Sequence, residues 1–117
     1  GLVEAAFVLP ILLSLTFGIA EMGLYMHDYV EAANCAREAA RRAAVRADIV
    51  PVSYCPSAAL TPSVSPTGYK TAQAGTDVTA TVNVTHNWIV IGSLIPGMGT
   101  GWPITVSVTM RLEGQAP

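Results

Sequence analysis

Few side chains in this sequence are of the types that carry out chemistry, and their spacing argues against catalysis. The two histidines, His27 and His86, are far apart, and no cysteine or carboxylate cluster at ligand spacing accompanies them, so we predict no metal site. No motif pairs a base with a nucleophile. The glycine-rich stretch GMGTGW (97–102) precedes a predicted strand rather than a helix, which argues against a phosphate site. We therefore expect neither an enzyme nor a bound cofactor.

The two cysteines, Cys35 and Cys55, form an even pair that follows a long apolar segment. In that context they predict one disulfide in an oxidising compartment rather than a metal site. Closing a loop of this length would contribute on the order of 3 kcal/mol to stability. The alternative is two unrelated buried thiols.

Glu4 is a carboxylate at the start of an apolar segment, since residues 5–20 carry no charge. A carboxylate in such a place costs roughly 2.5–3.5 kcal/mol at mid-bilayer and less near an interface. No cationic side chain precedes Arg37, so its partner must come from elsewhere. One option is the lipid–water interface. The other is a neighbouring chain in a filament, whose free N-terminal amine could supply the countercharge.

The composition agrees with a membrane or filament segment at the front of the chain. Hydrophobic residues make up 51% of the 117 residues and charged residues only 12%. As a helix, residues 2–26 would span about 37 Å, enough to cross the hydrocarbon core of a bilayer. A cleaved signal peptide would need a basic flank and a small-residue cleavage site, and neither is evident. The net charge of −2 argues against nucleic acid as a partner.

The helical pattern continues through HDYVEAANCAREAARRAAVRAD (27–48), which contains no Gly or Pro. At 100° per residue, its alanines fall on one arc about 140° wide, and its charged residues lie outside that arc. One helix of nearly fifty residues, roughly 70 Å long, is therefore predicted, ending before Pro51. Pro10 should kink it, and Gly18 and Gly23 should weaken it.

The remainder of the chain predicts a small sheet. In DVTATVNVTHN and ITVSVTMRLE, apolar residues alternate with polar ones, which is typical of a half-buried antiparallel pair. A third, short strand around Val52–Tyr54 would fit the same region, whereas the Pro/Ser-rich residues 51–76 are predicted to be a surface loop. The inner face of the sheet needs a cover, which the alanine arc can provide.

These elements define an α+β fold with three parts. Residues 1–26 form a hydrophobic helix for a membrane or filament core, residues 27–48 form its amphipathic continuation, and residues 49–117 form a β head. The second half of the helix packs against the antiparallel sheet of that head.

The densest apolar region outside the helix contains Trp88 and Trp102. Two interpretations stay open for it. Its residues could close the core of the head, or they could form a contact surface between neighbouring heads.

The stretch GLVEAAFVLPILLSLTFGIAEMG, followed by EAANCAREAARRAA, resembles the TadE-like pseudopilins of tight-adherence (Flp-type) pili, within the type IV pilin-like superfamily. ITVSVTMRLEG resembles the closing strand of that family. The resemblance implies that Glu4 corresponds to the glutamate near the mature N-terminus of pilin-like proteins, usually the fifth residue after the prepilin-peptidase cut. Here it is the fourth residue. A missing residue, a shifted spacing, or a Gly1 that precedes the cut would each account for this.

The resemblance further implies a bacterial subunit that is inserted in the inner membrane as a precursor and then extracted into an extracellular pilus used for surface attachment. Its expected partners are copies of itself in a helical filament, a prepilin peptidase and the pilus assembly machinery, with Glu4, Pro10 and Gly18 as assembly residues. Whether it is a major or a minor subunit stays open. The alternative is a monomeric, single-pass binding module whose head contacts a ligand through Trp88 and Trp102.

Overall fold

The structure, a computed structural model, describes residues 1–50, 54–55, 60–97, 99 and 101–114. Helix α1 (Leu2–Ala44) precedes strand β1 (Thr61–Ser65), strand β2 (Asp77–Asn87), the single-turn helix α2 (Ile91–Leu94) and strand β3 (Gly101–Arg111). The three strands form one sheet in the order β1-β2-β3, and both pairs are antiparallel. The predicted α+β layout, a long helix carrying a small antiparallel sheet, is thereby confirmed.

Helix α1 gives the molecule its rod shape, 76 Å long and 22 Å across. Its 43 residues run without a break through Pro10, and at 1.5 Å per residue they span about 65 Å. The kink predicted at Pro10 stays a prediction. The two halves of α1 have different surroundings: no residue from 2 to 17 is covered by the rest of the chain, whereas six alanines of the second half are buried.

The helix ends four residues earlier than its composition predicts. Arg46 adopts a left-handed conformation (φ 61°), and its backbone N–H donates to the carbonyl of Ala43. The N–H of Glu113, just beyond β3, donates to the carbonyl of Ala44. These bonds satisfy carbonyl groups left open at a helix end. A local left-handed cap at Arg46 and one hydrogen bond from the far end of the chain therefore close the helix before Pro51 is reached.

The long strands show the predicted alternation. Val78, Ala80 and Val82 of β2 are buried, and they face the helix together with Ile104 and Val106 of β3. On the opposite face the hydroxyl groups of paired residues of β2 and β3 approach to 2.9 and 3.1 Å. Cross-strand pairs of this kind stabilise a sheet whose outer face is wet.

Strand β1 corrects the sequence interpretation of residues 51–76 as a loop. Thr61–Ser65 pairs with Thr79–Asn83 of β2 at the edge of the sheet. Val64 is its one buried residue, and an edge position tolerates Pro62, which lacks an N–H to donate. The strand expected at Val52–Tyr54 falls partly outside the described residues, and Tyr54 itself lies in a turn.

The core lies between the alanine face of α1 and the inner face of the sheet. Because alanine side chains are short, the backbones of helix and sheet can approach closely, and larger residues such as Leu60, Val82 and Ile104 fill the space between them. A second group of buried residues around Ala40, Ala43 and Val78 continues this layer toward the end of the helix.

Candidate functional site

The most extensive exposed feature of the molecule is the apolar first half of α1. Most of its large hydrophobic side chains are largely accessible: Leu2, Val3, Phe7, Val8, Leu9, Ile11, Leu12, Leu13, Leu15, Phe17, Ile19, Met22, Leu24 and Met26. A continuous apolar surface of this size marks a contact with lipid or protein. Within the described part of the chain, α1 is the one helix long and apolar enough to cross a membrane, and none of its apolar window is buried. An N-terminal helix of this type indicates membrane anchoring.

The polar side chains of this segment are satisfied within the helix. The hydroxyl of Ser14 donates to the carbonyl of Pro10 at 2.8 Å, and the hydroxyl of Thr16 donates to the carbonyl of Leu12 at 2.8 Å. Such bonds remove the need for water around a hydroxyl, because the carbonyl one turn earlier accepts its hydrogen. The segment can therefore enter an apolar environment without unpaired hydroxyl groups.

Glu4 lies at the outer end of this apolar segment. Its side chain is 82% exposed in the single chain, and one carboxylate oxygen lies 3.4 Å from the amino group of Gly1. A pair this exposed contributes little to stability. The carboxylate is therefore accessible to a partner outside this chain.

Glu21 is a second carboxylate of α1, and its setting is the opposite of that of Glu4. It is only 4% exposed. One of its oxygens accepts the backbone N–H groups of Ile89 and Val90, and the other accepts the N–H of Ile91 at 2.5 Å. These three donors lie where β2 has ended and α2 begins, so the carboxylate stands at the start of that short turn. Glu21 thereby ties the middle of α1 to the connection between β2 and β3.

A buried aromatic cluster lies beside this attachment. Tyr25 stacks on Trp88 with ring centroids 5.9 Å apart, and the His86 ring contacts both of them edge-on. His86, which continues the inward series of β2, is 4% exposed, and its Nδ1 lies 2.5 Å from a carboxylate oxygen of Asp28. Glu21, Tyr25 and Asp28 occupy successive turns of one helix face, so this face of α1 holds the end of β2 and the start of the connection.

The connection itself needs close backbone packing. A Cβ atom at Gly92 would lie 2.5 Å from the carbonyl oxygen of Gly99 and 3.0 Å from Cβ of Trp88. Gly97 and Gly99 have positive φ angles of 85° and 72°. Glycine is the residue that allows both the approach and the left-handed turns.

An open apolar groove of about 620 Å³ lies between the connection and the first half of α1. Its walls are Ser14, Leu15, Gly18, Ile19 and Met22 of α1 on one side and Ile91, Leu94 and Ile95 on the other. At Gly18 a Cβ atom would come 3.8 Å from the side chain of Ile91, so α2 packs directly on this half-buried glycine.

The other end of the head is attached by polar contacts and by the disulfide. Cys35 of α1 is bonded to Cys55, as the cysteine pair predicts. The Arg46 guanidinium donates to the carbonyls of Tyr69, Lys70 and Ala72. The hydrogen bonds of Arg46 hold the chain between β1 and β2 against the end of α1.

Two titratable groups near this end have shifted pKa values. Burial raises the pKa of Tyr54, whose hydroxyl donates to the carbonyl of Ile49. The hydrogen bond from Lys70 to Asp48 raises the pKa of Lys70. Both shifts follow from structural contacts.

The sequence prediction of no carboxylate cluster near a histidine is corrected at one place. Potential ligand atoms of His27, Asp28 and Glu31 lie within 4.8 Å of one another on the surface of α1. A consecutive pair and an i, i+4 spacing bring them together on the helix. His27 is exposed, and Asp28 already uses one oxygen for His86. Asp28 is therefore the member of this group that takes part in the helix–head contact.

The sequence-predicted site residues fall in separate places. Glu4 and Pro10 lie on the exposed half of α1, and Gly18 lies under α2. Trp88 is 8% exposed, which makes it part of the head core, whereas Trp102 is 44% exposed and contacts Trp88 edge-on. The residue that sequence reasoning missed is Glu21. Its signal was present: it is the one charge between Glu4 and Asp28.

Comparison with known proteins finds one family. The family model described as TadE-like protein matches residues 1–41, which covers most of α1 and confirms the resemblance at the N-terminal end of the chain. The head, including the closing strand, lies outside the match. No curated protein and no solved structure matches the chain. The chain is therefore similar to TadE-like proteins over its first 41 residues.

Proposed function

We propose that this chain is a structural subunit of a Tad-type pilus that assembles through the first half of α1. In the assembly, copies of α1 pack side by side, and the heads cover the outside. The observation that carries this proposal is the unpartnered apolar half of α1, which coincides with the part of the chain that is similar to TadE-like proteins.

Two properties of α1 support packing against further copies. Its second half already covers the sheet, so the first half is free for another partner. The first half carries apolar residues on all sides, which suits a helix surrounded by lipid before assembly and by other helices afterward. One segment can thus serve both as a membrane anchor and as a filament core.

Glu4 offers a test of this arrangement, because its negative charge needs a partner in the assembly. A carboxylate that moves from an exposed position into a helix bundle must be paired, since an unpaired buried charge costs several kcal/mol. Its proposed partner is the N-terminal amino group of a neighbouring copy. A pair of this kind would fix the axial position of each subunit relative to the next.

The experiment compares Glu4→Gln with Glu31→Gln in cells that make the pilus. Both substitutions neutralise one carboxylate of α1, but Glu31 lies beside the head and contacts only the exposed His27 among the described partners. We expect Glu4→Gln to reach the membrane fraction at the normal level and to give no sheared filaments. Glu31→Gln should reach the membrane fraction at the normal level and should also give sheared filaments.

Normal filaments from Glu4→Gln would remove the main support for the proposal. The competing function, a monomeric membrane-anchored binding module, would be favoured if the native protein extracted in detergent were a stable monomer with no ordered assembly.

A further inference from the structure

The connection between β2 and β3 carries an exposed apolar surface at the base of the head. Ile89, Leu94, Ile95 and Trp102 each leave 44–73% of their surface accessible, and we name these four residues the apolar collar. No residue from 87 to 110 carries a charged side chain. A charge-free loop with exposed aliphatic residues and a tryptophan is unusual for a surface that faces only water.

The backbone of this loop is prepared for an apolar environment. Leaving the strand frees backbone N–H groups, and an unsatisfied N–H in hydrocarbon costs several kcal/mol. Glu21 accepts the N–H groups of Ile89, Val90 and Ile91, and the N–H of Ile95 donates to the carbonyl of Ile91. Glu21 is satisfied in turn, because its two oxygens share three donors. The carboxylate and these three N–H groups thus remove each other's need for water.

The position of the collar along α1 matches the end of a membrane span. A hydrocarbon core about 30 Å thick takes up roughly 20 helical residues, so a span that starts at Leu2 ends near Glu21. The groove beside α2 is lined by α1 residues from Ser14 to Met22. Leu94 and Ile95 of the collar therefore lie alongside the last two turns of that span. Trp102 is of the residue type that is enriched at the membrane interface.

We propose that the apolar collar inserts into the lipid bilayer in the membrane-anchored form of the protein. It would seat the base of the head in the outer part of the leaflet, with acyl chains filling the groove between α2 and α1. This inference rests on the membrane-anchored state of the proposed function and adds a second, shallow membrane contact to the helix.

In the anchored form, lipid is favoured over a second copy by continuity. The collar extends the surface of α1 that is apolar on all sides, and the groove joins the two surfaces. Among the described lining residues, Ser14 carries the polar side chain, and its hydroxyl is already bonded to the carbonyl of Pro10. Acyl chains require only an apolar surface.

The test uses spin labels on the full-length chain in phosphatidylethanolamine–phosphatidylglycerol vesicles. The native cysteines are bonded to each other, so Leu94→Cys introduces one reactive thiol. Leu12→Cys, in the exposed part of the span, is the lipid control, and Thr109→Cys, on the outer face of the sheet, is the water control. Power saturation then compares collisions with oxygen, which concentrates in lipid, and with a nickel chelate, which stays in water.

We expect the Leu94 label to favour oxygen over nickel, as the Leu12 label does, and the Thr109 label to show the reverse. Ile95→Cys should repeat the Leu94 result. A Leu94 label that resembles the Thr109 label overturns the proposal while leaving the anchor intact. A Leu94 label shielded from both reagents, with dipolar broadening that grows with protein density, also overturns it and assigns the collar to a second copy. A Leu12 label in water would reject the anchored state itself.

Discussion

Removing the Glu21 carboxylate should release the connection between β2 and β3 from α1. In Glu21→Ala, the N–H groups of Ile89, Val90 and Ile91 lose their acceptor. In Glu21→Gln, one oxygen can still face Ile89 and Val90, but the amide nitrogen then meets the N–H of Ile91, and two donors cannot bond to each other. The two variants should therefore differ in degree.

The magnitude follows from the number of donors that are left unpaired. Each buried donor without an acceptor costs about 1–3 kcal/mol. We take the lower end of the range, because a released loop can shift and its N–H groups can find other acceptors. Glu21→Ala, which leaves three donors unpaired, should then lower the free energy of local opening by about 3 kcal/mol, and Glu21→Gln, which leaves one, by about 1 kcal/mol. At 1.4 kcal/mol per factor of ten, these correspond to roughly 100-fold and 5-fold.

Amide hydrogen exchange on the full-length protein in detergent micelles measures this opening directly. The exchange rates of the three amides should rise by those factors. Glu31→Ala is the matched control, since its carboxylate lies on the same helix and accepts none of these amides. Unchanged exchange at residues 89–91 in Glu21→Ala would refute the role given to Glu21.

Further substitutions test how the head is attached to the helix. Gly92→Ala should lower the urea midpoint, because the added Cβ would clash with the carbonyl of Gly99 and destabilise the fold by about 1–3 kcal/mol. Gly23→Ala is the matched control. It has open space around it and should raise the midpoint, because alanine favours the helix more than glycine does. Replacing Cys35 and Cys55 by alanine should lower the free energy of unfolding by on the order of 3 kcal/mol in the same urea assay. An unchanged midpoint would contradict this expectation. Arg46→Met removes the donor to four carbonyls and should lower the thermal midpoint by an amount equivalent to about 3 kcal/mol. A loss below about 0.5 kcal/mol would show that the guanidinium is dispensable.

The parts of the fold that depend on local periodicity could be predicted from the sequence. The alanine arc of α1 and the period of two in β2 and β3 each identify their buried face, because burial repeats with the geometry of the element. The two features combine into one prediction, since each face needs the other as a cover. The disulfide followed from the number of cysteines.

The parts that depend on contacts between distant residues could not be predicted. Strand β1 has one buried residue, Val64, so its sequence carries almost no period, and it forms because β2 offers an unpaired edge. The carbonyl of Ala44 at the helix end accepts the N–H of Glu113, which is remote in sequence. The hydrogen bonds of Glu21 could not be predicted, because its partners are backbone N–H groups, which leave no mark in a sequence.

Electron cryo-microscopy of the purified filament tests the central claim most directly. We predict a core in which residues 2–20 of each copy are covered by neighbouring copies of α1, with the Glu4 carboxylate in hydrogen-bonding distance of the amino group of an adjacent subunit. A filament in which this segment faces solvent and Glu4 has no neighbour, or a preparation that contains only single chains, would contradict it.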